Sequence, residues 1–132
     1  MDFSSLVLME RDKEGKFIKE VGSYAVGDGA DYVTKLFLVD GEVNFSFDTK
    51  RDVEEWEYSA IFDLFNEDAF KDLGYIIEED DDKYNPTWIV KFKFDDDHEE
   101  MKAIINELCN LVKENMEKVF KDIKDKEEEY QD

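Results

Sequence analysis

The chain is poor in the residues that staple or break a fold. One cysteine, Cys109, and one proline, Pro86, stand in 132 residues with six glycines and a single histidine. A lone cysteine excludes an intrachain disulfide and a cysteine-built zinc site, and it suits a reducing compartment. So little proline and glycine leaves no room for a linker, and the length predicts one domain over residues 1–132. No apolar run approaches the roughly 20 residues of a membrane span. Asp2 and its neighbours make no basic region ahead of an apolar stretch, so no secretory signal is expected and a cytoplasmic location is. Cations are scarce too: 17 Lys and Arg oppose 37 Asp and Glu, a formal net charge of −20. Such a surface repels nucleic-acid backbones and anionic membranes, leaving basic proteins as conceivable partners.

What is present argues for a core. Eleven Phe, six Tyr and two Trp separate this chain from acidic disordered segments, which lack aromatics. Ser4 to Arg11 reads as a strand with Leu6 and Leu8 on one side and Val7 and Met9 on the other, so both faces are expected to be covered. The turn Asp12-Lys13-Glu14-Gly15 leads into a return strand from Lys16 to Ser23. After a break at Val26-Gly27-Asp28-Gly29, Tyr32 to Val39 is β-prone, and Asp40-Gly41 is the clearest hairpin signal. Its partner alternates, with Val43, Phe45 and Phe47 inward.

From Arg51 to Phe65 the period becomes helical through Val53, Trp56, Ala60, Ile61, Leu64 and Phe65, with Asp48 or Thr49 as the expected N-cap. A short helix over 67–73 stops at Gly74. Tyr75 to Glu79 and Thr87 to Phe94 resume as strands, the second with Trp88, Val90, Phe92 and Phe94 on one face. One helix from Asp97 to Glu128 closes the chain, apolar along Met101, Ile104, Ile105, Leu108, Leu111, Val112, Met116, Val119, Phe120 and Ile123. The order β-β-β-β-α-α-β-β-α predicts an α+β fold: an antiparallel sheet of about six strands, with the long helix packed across one face.

No catalytic, cofactor or metal signature emerges. Gly27-Asp28-Gly29 lacks the residues that complete either phosphate-binding fingerprint. The acid clusters Glu78 to Asp82 and Asp95 to Glu100 do not follow the spacing of a calcium loop, and they are expected at opposite ends of a hairpin. His98 is a weak pH or cation candidate beside those acids. Cys109 reads as a small buried hydrophobe. More informative is the second apolar side of the first helix. Tyr58 and Phe62 form an i, i+4 pair there, and Tyr84 and Trp88 flank Asn85-Pro86. Together with Val119, Phe120 and Ile123 near the chain's end, these residues make the candidate surface for a partner or for self-association.

The stretch Asp52-Val53-Glu54-Glu55-Trp56-Glu57-Tyr58-Ser59-Ala60-Ile61-Phe62-Asp63-Leu64-Phe65-Asn66, with Tyr84-Asn85-Pro86-Thr87-Trp88 after it, resembles a family of small acidic proteins from clostridial-type bacteria. The resemblance covers most of the chain. It implies a bacterial cytoplasmic protein and, since that family has no assigned function, it transfers no site.

Three functions compete on the residues alone. The expected one is a non-catalytic protein-binding or regulatory module. The second is an acidic mimic of nucleic acid, or an immunity-type inhibitor of a basic protein; lysines at positions 113, 118, 121 and 124 interrupt the acids it would need. The third is a carrier of small apolar ligands, with a cavity between sheet and long helix lined by Phe45, Phe47, Trp88, Phe92 and Phe94.

Overall fold

The alternating segments of the sequence form the strands of one six-stranded sheet in the order β2-β1-β3-β4-β6-β5. The structure is a computed structural model that describes residues 4–130; Asp2, on which the reading of the chain's start turned, lies outside them. The strands are β1 (Ser4–Arg11), β2 (Phe17–Val26), β3 (Val33–Val39), β4 (Glu42–Asp48), β5 (Ile76–Asp80) and β6 (Thr87–Lys93). The helices are α1 (Glu55–Leu64), α2 (Asp68–Lys71), α3 (His98–Asp122) and α4 (Glu127–Tyr130), with 3-10 turns at Asp28–Tyr32 and Ile123–Asp125. The α+β class, the strand number and the helix packed on one face are as the sequence predicts. The sheet is mixed rather than purely antiparallel, because β1 runs parallel to β3 through Met9–Phe37 and Glu10–Leu38.

Three hairpins, β1–β2, β3–β4 and β5–β6, supply three of the other four pairings, and β4 joins β6 antiparallel across the α1–α2–β5 connection. Asp40 at φ 55° and Gly41 at φ 80° close the β3–β4 turn, the left-handed pair that matches the twist of two antiparallel strands. On the covered face, Leu8, Val43, Phe45, Phe47, Trp88 and Val90 are fully buried. Helix α3 lays Met101, Ile105, Leu108, Val112 and Met116 against this layer, while Ala60 and Ile61 of α1 and Phe70 of α2 complete it. The opposite face is open. Val7 is exposed there, which corrects the expectation that β1 is covered on both sides, and Arg11 lies over the Phe37 ring at 5.0 Å.

Two helix boundaries differ from the sequence reading. Helix α1 starts at Glu55 with Glu54 as N-cap, not Asp48 or Thr49. Those residues shape the preceding turn instead: the Lys50 N–H donates to Asp48 Oδ1 (2.8 Å), and the Thr49 hydroxyl donates to the Arg51 carbonyl (2.7 Å). The terminal helix is also shorter than predicted. It starts on Asp97, whose carboxylate accepts from the N–H groups of Glu99 and Glu100, and tightens to a 3-10 turn after Asp122.

Helix α3 also shields the sheet edge at β2. Asn106 Nδ2 donates to the Ala25 carbonyl (3.0 Å) and to the Lys102 carbonyl (2.8 Å). His98 Nε2 meets the Ser23 carbonyl at 3.1 Å. The end of this edge strand around Ser23 and Ala25 is thereby closed to pairing with another strand.

Candidate functional site

The N-terminal half of α1 stands between two clefts of opposite character. On one side Val53, Glu54, Glu55, Tyr58 and Ser59 face Tyr84, from the β5–β6 turn, across a space of about 450 Å³. The two walls are tied together. The Tyr58 hydroxyl donates to the Asp81 carbonyl (3.0 Å) and lies 3.3 Å from that of Lys83. Asn85 bridges to the segment before the helix, its Nδ2 donating to Asp52 Oδ1 (3.0 Å) and its Oδ1 accepting from the Val53 N–H (3.3 Å). Tyr84 itself is 79% exposed, the most exposed large apolar side chain among the described residues. Burial, and then the charges of Asp81, Asp80 and Asp82, push the Tyr58 hydroxyl above its ordinary range. An aromatic platform rimmed by Glu54, Glu55, Asp81 and Asp82 offers apolar contact and negative potential together.

On the other side Tyr32, Thr49, Lys50, Arg51, Trp56 and Glu57 meet Phe120, Ile123 and Lys124 around a space of about 650 Å³. Arg51 is held from three directions: its guanidinium lies over the Phe120 ring at 4.1 Å and donates to Glu57 Oε2 at 3.1 Å and to the Asp52 carbonyl at 3.3 Å. Glu57 also accepts from the Glu54 N–H at 2.9 Å, so one carboxylate caps the helix and fixes the arginine. Those contacts hold its pKa below the usual value although burial opposes them. The Lys50 ammonium reaches Asp31 at 3.0 Å.

The candidate surface read from the sequence is divided by this arrangement. Tyr58 and Tyr84 come together in the acidic cleft, and Phe62 packs behind them, its ring 5.1 Å from Tyr58 and 5.0 Å from Trp88. Trp88 is fully buried and corrects its assignment to a surface: it stacks on Phe47 and Phe65, and its indole N–H donates to Glu67 Oε2 (3.2 Å). Val119 and Ile123 are likewise core residues, turned under α1, and only Phe120 of that trio is partly open. His98 stacks on Tyr24 with ring centroids 4.8 Å apart, a docking contact between α3 and β2. Among the described residues no cluster of His, Cys, Asp or Glu is arranged to hold a metal ion. Cys109 is buried, and desolvation pushes its thiol up to about 12.

Sequence reading placed Phe120 and Ile123 of the second cleft on a candidate surface, but none of its cations. Arg51 and Phe120 lie far apart in the chain, and no local pattern announces their stacking. It also passed over Phe17 and Ile18 on β2, which are 63% and 51% exposed; a period-2 strand at an edge carries the same signature whether or not it is covered.

A family model described as a family of unknown function (DUF6762) matches residues 1–131. The chain belongs to that family. No curated protein and no solved structure matches it. No helix among the described residues of this DUF6762 chain is long and apolar enough to cross a membrane.

Proposed function

We propose that the protein is a non-catalytic binding module of the bacterial cytoplasm that engages a basic protein partner through the acidic cleft beside α1. The observation that carries this reading is Tyr84, four-fifths exposed above a cleft walled by Val53 and Tyr58 and rimmed by carboxylates. Tyrosine is a favoured anchor at interfaces because its ring contributes apolar area and its hydroxyl stays wet. A lysine or arginine of the partner can rest on the ring while the rim attracts it. The net charge of −20 extends that attraction beyond the cleft and speeds encounter with a cationic surface.

The carrier reading has less support. Phe45, Phe47 and Trp88, three of the five residues that would line a cavity under α3, pack against one another and are fully buried, and Phe92 and Phe94 pack partly buried against the same core. The mimic of nucleic acid is also less favoured, since lysines interleave with the acids along α3 and Lys118 pairs with Asp122.

Calorimetric titration with an octapeptide of lysine and arginine tests the proposal. Tyr84→Ala is expected to weaken binding about threefold to fivefold, the worth of an exposed cation–π contact. Equal affinity for the variant, or equal binding of an octaglutamate peptide, contradicts it.

A further inference from the structure

We infer that the cleft between α1 and the end of α3 is a binding site for a small organic anion, a carboxylate carried on a flat apolar body. The site is separate from the acidic cleft and does not depend on the basic partner. Its charge is the first argument. In a chain with more than twice as many acids as cations, Lys50, Arg51 and Lys124 converge on one space against the single lining carboxylate of Glu57. Asp31 takes one side of Lys50, but it stands outside the lining.

Preorganisation is the second. Arg51 is clamped by Phe120 on its face, by Glu57 at one terminal nitrogen and by the Asp52 carbonyl at the other, so its planar fork is set before any ligand arrives and offers its remaining N–H groups. Lys50 has φ 67°, a left-handed conformation unfavourable for a residue with a side chain. The buried hydroxyl of Thr49 and the carboxylate of Asp48 hold that turn in place. Such strain persists where the surroundings over-determine it, and here it delivers two consecutive cations to one wall.

Shape is the third. The volume of about 650 Å³ falls in the range of small-molecule sites, and Trp56 and Phe120 give the cleft an aromatic wall. Aromatic sides select a flat apolar body, and the cationic rim selects its carboxylate.

The test uses the full chain, 2-naphthoate and its neutral amide, followed by amide chemical shifts. Naphthoate is expected to shift residues 49–57 and 120–124 saturably, with the amide about tenfold weaker because it forgoes the charge-assisted hydrogen bonds. Lys124→Glu, an exposed change, should weaken naphthoate about fivefold. Lys50→Gly, which accepts the left-handed turn without strain, should weaken it while leaving the fold intact. Tyr84→Ala should leave it unchanged, so failure here is distinct from failure of the basic-partner reading. Absence of saturable shifts up to roughly 5 mM, a limit set by the affinity scale of weak ligands, overturns the site. So does equal binding of the amide, or shifts confined to other surfaces.

Discussion

Gly29 shows how little space the residue scale leaves in this molecule. A Cβ built there would collide with the Cys109 carbonyl, so the 3-10 turn at Asp28–Tyr32 rests on α3 backbone to backbone. The obstacle is main chain, which cannot swing aside. Gly29→Ala is expected to destabilise by about 2–3 kcal/mol, the cost of overpacking a rigid contact, read as a fall in the urea midpoint. Glu79 carries a different tension. Its hydrogen bond to Glu67, then burial and the charges of Glu67, Asp81 and Asp63, raise its carboxyl from 4.5 to about 7. The native state therefore holds this proton more tightly than the unfolded chain. Its contribution is complete below pH 4.5 and is lost as pH rises through about 7. Glu79→Gln keeps a neutral donor and does not titrate, so the stability difference between the two proteins should carry that slope. With Glu79 mostly exposed, the effect is about 1 kcal/mol or less. A wild-type and variant difference that is flat from pH 4.5 to 8 contradicts the shared proton.

At the scale of elements, what the sequence made legible was local. Asp40-Gly41 announced its hairpin because two left-handed residues in a row are a chemical requirement of that turn. The inward alternation of Val43, Phe45 and Phe47 came through because one face of β4 is wholly buried. The interior place of β1 did not. It depends on two residue pairs with β3 across an intervening hairpin, and no single segment encodes such a register. The start of α1 was misplaced for a comparable reason: Asp48 and Thr49 have the chemistry of caps but spend it on the Lys50 turn. The acidic cleft was half legible through Tyr58 and Tyr84, whereas the cationic one needs α1 and α3 side by side. Edge protection of β2 is equally non-local. Asn106→Ala should cost about 1 kcal/mol, the net worth of its hydrogen bonds. Hydrogen exchange should quicken at residues 23–26 and stay unchanged at 17–20; uniform exchange along β2 would remove α3 from that role.

For the whole molecule, the account turns on how charge is distributed rather than on its sum. A chain at −20 attracts every cation weakly and nothing in particular. What gives it direction is α1, with an exposed tyrosine among carboxylates on one side and a clamped arginine between lysines on the other. The most direct measurement is a titration of isotope-labelled protein with the lysine and arginine octapeptide at about 0.15 M salt, where diffuse attraction is screened beyond roughly 8 Å. The account predicts saturable amide shifts at residues 53–59 and 81–85, with residues 120–124 left in place. Shifts spread evenly over every acidic stretch, or centred on Asp95 to Glu100, would contradict it.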